Sequence, residues 1–417
     1  MNEPLVIETL ILIGASVISI ALLSRLNLPA VLGYLFAGVA IGPLGFGLVA
    51  ASEGPRFLAD LGLILLMFMV GLEFSWAEMW AARRAVFVAG ALQVLLNMTA
   101  ATLVAHALGM PWQAATLAGG AAAMCSTGIS LKQLKERGEL ARPHGRMATG
   151  VLLFQDIATL PLLVVIDSGK DTGAIELMPA LRQLAVATVS LGGLLWVGRP
   201  VLRRILDWIG RRKSVDLFLL SALLLALGTA YVAQRLHAAP TIGAFLAGVA
   251  LGESDLRHRI SEQLAPFRDM LLGLFFVTVG MQVDPAAVTA SPLRALLWLG
   301  LFVLVKPLLG LMALRTAGYR LMDSLRAATV LAHASELTLL IVTQSLSAGL
   351  VPAGPAQAML VAAAVSMGLA PLIIHHNRGV AVRLLRALER LGRLPYIPPV
   401  DVDHGAHGAH TPGSPQK

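Results

Sequence analysis

The sequence contains very little cysteine and little charge, and both shortages limit what the protein can be. Cys125 is the one cysteine in 417 residues, which excludes an intrachain disulfide and a cluster of thiolate ligands. Only 13% of the residues are charged, whereas 57% are hydrophobic and the mean hydropathy is strongly positive. Soluble domains carry about a quarter of their residues as charged side chains. The composition therefore excludes an ordinary soluble protein and indicates a chain whose main solvent is lipid.

Motifs of two functional classes are also missing. The sequence contains no His-Glu-x-x-His, no Gly-x-Ser-x-Gly and no pairing of the thiol with an imidazole, so an intramembrane enzyme is disfavoured and no cofactor is predicted. A filter repeat such as TVGYG, which lines the pore of some channels with carbonyl oxygens, is absent as well. We predict that the protein is not an enzyme and keep a channel as a minor alternative.

Long apolar runs dominate what is present. A bilayer core about 30 Å thick requires roughly 20 apolar residues for each spanning helix. The runs predict an all-α polytopic membrane protein with about 13 transmembrane helices. Their approximate limits are 5–24, 30–50, 57–74, 85–108, 112–133, 146–167, 181–198, 215–234, 239–252, 269–283, 293–314, 326–348 and 355–376.

The basic residues are distributed unevenly among the predicted loops. Loops after odd-numbered helices, together with the C-terminus, contain about 26 of the 32 Lys and Arg residues. Because loops rich in Lys and Arg face the cytoplasm, we expect the N-terminus outside and the C-terminus inside. The formal net charge of +8 follows from this topology, so the lipid bilayer is the expected partner and nucleic acid is not.

Two segments of the chain resemble each other. Residues 33–42 read GYLFAGVAIG and residues 243–252 read GAFLAGVALG, with six of ten positions identical. The same shift of 210 positions relates Pro161 to Pro371. It spans seven predicted helices, and an odd number inverts the second copy, as in many secondary transporters. A glycine-rich packing motif that arose twice is the less favoured alternative.

This repeat predicts the domain organisation. We expect one transmembrane domain at residues 1–376, with repeat one at about 5–167, a linker helix at about 181–198 and repeat two at about 215–376. Residues 377–417 form a basic cytoplasmic tail. Its end contains His404, His407 and His410 among Gly and Pro residues, which favours a disordered tail over a metal site.

Three ionisable residues lie near the middle of predicted helices. They are Asp156 in helix 6, Lys306 in helix 11 and Glu336 in helix 12. An ionisable group at mid-depth costs at least about 2.5 kcal/mol on insertion scales, so each of these residues requires a functional or structural reason.

Prolines and small polar residues nearby indicate interrupted helices. Pro161 removes the amide that would bond to the carbonyl of Ile157, beside Asp156. The segment MCSTGIS at 124–130 is a natural break in helix 5, and Ser335 and Glu336 occupy the related place in helix 12. Two broken helices that face each other would form a polar centre inside the membrane.

This centre has the chemistry of a cation site. An alkali cation requires oxygen ligands, and the Asp156 carboxylate also binds a proton, so the two ions compete and competition at one site produces antiport. We predict that the transported monovalent cation binds Asp156, with Gln155, Thr127 and Ser126 as further candidates and Lys306 and Glu336 as core charge partners.

Structural roles for the same residues remain open. Asp156 could pair with Lys306, and Lys306 could instead pair with Glu336. Gln155 is more typical of a hydrogen bond between helices than of an ion ligand, and Asn97 and His333 are expected to pack between helices.

Together these residues identify a resemblance to a known family. The chain over about residues 5–376 resembles the membrane domain of Kef-type potassium/proton antiporters in the monovalent cation:proton antiporter-2 family. The motifs that carry the resemblance are GYLFAGVAIGP at 33–43, LMFMVGLEF at 66–74, STGISLKQLKERGE at 126–139, LLFQDIATLPLL at 152–163 and GESDLRHRISEQLAPFRDMLLGLFFVTVGM at 252–281.

The resemblance implies a sodium/proton antiporter-like fold with crossed broken helices. It also implies a homodimer in the bacterial inner membrane, in which a six-helix core moves against a static scaffold. Gln155 and Asp156 are similar to the family's Gln-Asp pair, Lys306 to its basic core residue, and Glu336 to the acidic residue of its second crossed helix.

The chain departs from the family in two respects. Kef systems continue into a cytosolic nucleotide-binding domain, which these 417 residues do not include, so a separate cytosolic regulatory subunit is a candidate partner. The run HASELTLL replaces the Gly-Gly-Glu-Phe run expected around Glu336. Because Gln155 carries no charge, we predict electroneutral exchange of K⁺ or Na⁺ for protons, with sodium-coupled symport of an organic anion as the alternative.

Overall fold

The fold is entirely helical in the part of the chain that the structure describes. A computed structural model describes residues 3–26, 28–49, 53–169, 215–235, 240–252, 254 and 257–390, together with the isolated residues 178, 182 and 185. The first half contains α1 Glu3–Ser24, α2 Ala30–Ile41, α3 Glu53–Glu73, α4 Trp76–Ala81, a π-helical segment Arg84–Gly90, α5 Ala91–Ala107, α6 Trp112–Ala123, α7 Thr127–Glu136 and α8 Pro143–Gly169. The second contains α9 Val215–Arg235, α10 Pro240–Gly252, α11 Arg257–Met281, α12 Pro285–Ala290, α13 Pro292–Gly300, a second π-helical segment Leu301–Val305, α14 Lys306–Thr316, α15 Leu321–Val330, α16 Glu336–Ser347, α17 Ala353–His375 and α18 Asn377–Arg390.

The prediction of an all-α polytopic membrane protein is confirmed. Seven helices in the described residues are long and apolar enough to cross a membrane, and three further apolar helices are shorter. Predicted helices 5 and 12 are each broken in two, as expected, into α6 with α7 and α15 with α16. The predicted linker helix at 181–198 lies outside the described residues, apart from residues 182 and 185.

Several predicted limits were wrong. Helix 2 ends at Ile41 instead of near residue 50, and helix 10 begins at Arg257 instead of near residue 269. Both errors have the same cause, because a hydropathy limit follows the apolar run while the helix follows its backbone hydrogen bonds. The tail predicted from residue 377 begins with the 14-residue helix α18, which sequence analysis did not foresee.

The helices form two bundles. The first, here called the scaffold, contains α1, α2, α3, α9, α10 and α11. The second, here called the core bundle, contains α5 to α8 and α13 to α17, and α18 packs on α15 at one end. An apolar cavity of about 240 Å³ lies between the two bundles, with α2 and α11 on one side and α16 and α17 on the other.

Close helix crossings in the scaffold follow the sequence repeat. At the crossing of α2 and α11, a Cβ atom on Gly38 would collide with the carbonyl oxygen of Val277. At the crossing of α3 and α10, a Cβ atom on Gly248 would collide with the carbonyl oxygen of Phe68. Gly38 and Gly248 are separated by 210 positions, so the two crossings are copies of one contact. Small residues permit this approach of membrane helices.

Candidate functional site

Two helix breaks meet in the middle of the core bundle. The side chain of Ser126 accepts a hydrogen bond from the backbone amide of Ile129 (3.1 Å) and caps α7. Ser335 accepts one from the amide of Leu337 (3.1 Å) and caps α16. Serine is among the best N-cap residues because its oxygen satisfies an amide that the first turn leaves free. The two caps explain why both helices restart here.

Thr338 links the two broken helices by hydrogen bonds. Its hydroxyl accepts a hydrogen bond from the Ser335 amide (3.1 Å) and donates to the carbonyl of Ala121 (2.8 Å) in α6. The start of α16 is therefore bonded to the end of α6, which fixes the position of one break relative to the other.

Lys306 binds backbone carbonyls at the crossing. Its ammonium group donates to the carbonyl oxygens of Ala122 (2.9 Å), Met124 (2.6 Å) and His333 (2.9 Å). Neither of the pairings left open by the sequence occurs among the described salt bridges, because Lys306 contacts the carboxylate of neither Asp156 nor Glu336. The lysine side chain is fully buried, and three carbonyl acceptors satisfy its three donors.

The position of Lys306 complements the dipole of α6. Ala122 and Met124 lie at the C-terminal end of α6, where the helix dipole is negative, and His333 lies in the break that follows α15. Lys306 belongs to predicted helix 11, which spans residues 293–314. The π-helical segment Leu301–Val305 precedes the lysine directly, and Pro307 follows it directly. A π bulge rotates the residues that follow it and often marks a functional site.

Asp156 lies beside the start of α7. The Thr127 hydroxyl is 3.4 Å from both carboxylate oxygens of Asp156, a long but symmetrical contact. The aspartate is 8% exposed, while Thr127 is half-buried and Gly128 is exposed, so protein does not fully cover this side of the crossing. The structure therefore brings together Asp156 and Thr127, two of the predicted site residues.

Ser126 binds the second carboxylate and does not contact Asp156 in the described hydrogen bonds. Its hydroxyl donates to Oε1 of Glu336 at 2.8 Å, and the Ser335 hydroxyl donates to Oε2 at 3.4 Å. Glu336 is the first residue of α16, where the positive end of the helix dipole favours a carboxylate. Each carboxylate thus lies at the positive end of one half-helix.

Gln155 points away from Asp156. Its amide oxygen accepts from the backbone amide of Cys125 (2.8 Å), and its amide nitrogen donates to Oε1 of Gln93 (2.8 Å). Gln93 in turn donates to the carbonyl of Ala123 at 3.4 Å. Gln93 was missed by the sequence analysis, although a polar residue inside the apolar run ALQVLL at 91–96 was an available signal.

Two charged side chains of the scaffold interact electrostatically with the carboxylates of the core bundle. Glu73, exposed at the end of α3, interacts with Asp156, and Arg268 of α11 interacts with Glu336. Asp156 therefore interacts with a negative charge of the scaffold, and Glu336 interacts with a positive one.

A polar cluster joins several core elements at one end of the bundle. Glu139, in the loop between α7 and α8, accepts hydrogen bonds from Asn377 (3.2 Å) and pairs with Arg326 (2.8 Å) and His144 (3.1 Å). Burial by itself raises the pKa of Glu139, but hydrogen bonds from Asn377 and His144 and the charges of Arg326 and Arg137 outweigh it. The net result is a pKa below the ordinary value, so Glu139 is held ionised.

Comparison with known proteins agrees with this architecture. The family model described as "Sodium/hydrogen exchanger, transmembrane" matches residues 11–376. A glutathione-regulated potassium-efflux system protein KefC from Salmonella heidelberg (strain SL476) is 34% identical over 375 residues, covering 90% of this chain and 60% of that protein. KefC from Klebsiella pneumoniae (strain 342) is 34% identical over 378 residues with the same coverage. The chain thus spans about 60% of the length of these curated relatives.

A solved structure shows the same fold. The sodium proton antiporter MjNhaP1 from Methanocaldococcus jannaschii aligns with a TM-score of 0.54 at 14% sequence identity, covering 91% of this chain and 99% of that one. An alignment at this identity supports the fold alone. The family match, in contrast, covers most of the chain. This protein belongs to the sodium/hydrogen exchanger family of membrane transporters.

Proposed function

We propose that the protein exchanges a monovalent cation, K⁺ or Na⁺, for protons across the membrane, and that the two ions compete for Asp156. The observation that carries the proposal is the placement of this carboxylate, 8% exposed, beside a threonine hydroxyl at the start of a half-helix. Desolvation disfavours a bare carboxylate at this depth, so Asp156 must hold either a proton or a cation.

The proposed ligands of the cation are the Asp156 carboxylate and the Thr127 hydroxyl, with water completing the shell on the accessible side. Gln155 serves as a positioning residue, because its amide is bonded to Cys125 and Gln93. Ser126 positions Glu336 through its 2.8 Å hydrogen bond and does not bind the cation in this arrangement.

The charges around the site support electroneutral exchange. Lys306 is bound to three carbonyls and does not have to release Asp156 when a cation arrives. In this cycle Lys306 and Glu336 keep their charges, while Asp156 is neutralised by one proton or by one monovalent cation. The core bundle then carries the same net charge when Asp156 holds a proton as when it holds a cation.

The relatives and the charge pattern suggest the setting of this activity. KefC proteins are named for potassium efflux and MjNhaP1 for sodium/proton antiport, so both ions are candidates. We propose a multi-pass protein of the bacterial inner membrane that works as a homodimer, with the N-terminus outside and the C-terminus in the cytoplasm. A separate cytosolic subunit is the proposed regulator. The alternative of organic-anion symport gains no support from the family match.

The test is ion exchange in proteoliposomes that contain a pH-sensitive dye. Wild-type protein, Asp156→Asn and Thr127→Ala are compared in Na⁺, K⁺, Li⁺ and Rb⁺. Asp167→Asn is the matched control, because it removes the same charge from the same helix about three turns away. We expect dequenching with wild type and the control, none with Asp156→Asn, and a raised KM for the cation with Thr127→Ala.

Three results would each contradict part of the proposal. Exchange by Asp156→Asn at the wild-type rate would remove the aspartate from the mechanism. A wild-type protein that moves no protons against any of the four ions would reopen organic-anion symport. An exchange rate that changes with an imposed membrane potential would overturn electroneutrality while leaving antiport intact.

A further inference from the structure

The helix α18 lies directly at the end of a membrane-spanning helix. α17 ends at His375 and α18 begins at Asn377, so one residue separates them. α17 is long and apolar enough to cross a membrane. The start of α18 is therefore held at the level of the membrane surface.

One face of α18 is fixed to the core bundle. Ala381 and Leu385 are buried against Leu325 of α15. Asn377 donates to Glu139 (3.2 Å) and accepts from Arg326 (3.3 Å), which anchors the first turn. The orientation of the helix about its own axis is thus set by the protein.

The neighbouring face of α18 is apolar and uncovered. Val380 is 36% exposed and Leu384 is 46% exposed, and a spacing of four residues places them in one row along the helix. Exposed apolar side chains at this position would meet water unless lipid covers them. Because the packed face fixes the rotation of α18, this row is presented outward on a defined side.

Basic residues flank the apolar row on its free side. Arg383 and Arg386 are exposed, and at about 100° per residue Arg383 lies about 60° from Val380, with Arg386 further round. Arg378 is exposed as well, but the face packed on α15 separates it from the row in the other direction. On the free face of α18, the apolar row therefore lies directly beside the basic residues.

We propose that this free face of α18 is a binding surface for anionic phospholipids. Val380 and Leu384 insert among the acyl chains close to the headgroups, and Arg383 and Arg386 bind the phosphate oxygens. An amphipathic helix with an apolar row beside arginines is the pattern of helices that lie in the membrane interface. Arginine suits phosphate because its planar group donates two parallel hydrogen bonds.

The favoured occupant is lipid because of where the face lies and what it carries. The row consists of two exposed side chains in the described residues, and it continues from the end of a spanning helix. Its positive charges complement the negative surface of an inner leaflet. A soluble protein partner is the competing occupant and is an outcome of the test.

The first experiment measures lipid binding by native mass spectrometry of the full-length protein in detergent, with phosphatidylglycerol or phosphatidylcholine added. Arg383→Gln/Arg386→Gln should retain at least about fivefold less phosphatidylglycerol than wild type, with phosphatidylcholine unchanged. The matched control Arg142→Gln/Arg378→Gln removes the same number of exposed charges and should bind like wild type. Equal loss in both variants would overturn the proposal.

The second experiment does not depend on the arginines. The native Cys125 is buried, so Val380→Cys can be labelled selectively with a fluorophore. In vesicles of phosphatidylglycerol with spin-labelled acyl chains, this label should be quenched more strongly than the same label at Arg378→Cys, an exposed position about 160° round the helix from Val380. Shielding of the Val380 label by a soluble protein fraction but not by these vesicles would overturn the assignment to lipid.

Discussion

Ser126 donates a 2.8 Å hydrogen bond to Glu336, exactly one repeat length of 210 positions later in the chain. The serine caps one half-helix and the glutamate begins the other, so the two helix breaks are joined by a side-chain contact at the point where they cross. The candidate ion site lies next to this contact, since Thr127 follows Ser126 and reaches Asp156. The geometry of the site therefore depends on both halves of the molecule.

The first prediction concerns this contact. Ser126→Ala removes the cap and the donor, and Glu336→Gln weakens the acceptor, so each lowers the free energy of unfolding by about 1 kcal/mol or more. In a double-mutant cycle measured by thermal unfolding in detergent, the two substitutions should couple by at least about 0.5 kcal/mol. The control pair Ser221→Ala and Glu336→Gln joins two residues of different bundles and should be additive. Additivity in the Ser126 pair as well would show that the contact contributes nothing.

The second prediction concerns Lys306. Lys306→Met leaves three buried carbonyls without a donor and should lower the free energy of unfolding by at least about 3 kcal/mol. Lys132→Met, at an exposed position of α7, should have little effect. Because Lys306 is not bonded to Asp156, adding Asp156→Asn to Lys306→Met should not restore stability. Restoration would mean that the lysine is the counterion of the aspartate after all.

The third prediction concerns the repeated helix crossings. Gly248→Ala places a methyl group against the carbonyl oxygen of Phe68, and Gly38→Ala does the same against Val277. Each should lower the free energy of unfolding by about 1–3 kcal/mol, since the backbones must separate. Gly228→Ala in α9 is the control, because nothing lies within 4 Å of the added atom and the helix gains up to about 1 kcal/mol. Similar unfolding temperatures for all three variants would contradict the inference that Gly38 and Gly248 permit close contact between the helix backbones.

The fourth prediction concerns pH and Glu139. A carboxyl group whose pKa is lowered by folding contributes stability above its unfolded pKa, and this contribution is lost as the pH falls through the lowered value. The wild-type unfolding temperature should therefore fall as the pH decreases below about 4.3. Glu139→Gln should be less stable at neutral pH and should lose less on acidification. Glu136→Gln, at an exposed position three residues earlier, should follow the wild-type profile.

The sequence contained enough to predict the architecture of the polar centre. The shift of 210 positions indicated an inverted duplication, and the segments around Ser126 and Ser335 indicated two helix breaks. Such features are local, because a serine cap or a proline acts on its own turn of helix. The helix α18 was missed although its apolar spacing was visible, because residues 377–417 were predicted as a single basic tail and no helix was sought in them.

The sequence by itself determined that the chain is a polytopic membrane protein, and it predicted an internal duplication and the placement of Asp156, Lys306 and Glu336 near the middle of their helices. Tertiary structure alone decided what these side chains touch. Lys306 binds carbonyls about 180 positions earlier in the chain, Gln155 turns toward Gln93, and Ser126 reaches Glu336 instead of Asp156. The physical reason is that hydropathy and spacing fix a residue's depth along its helix, whereas its partners depend on the rotation of each helix and on the distance to helices from the other half of the chain.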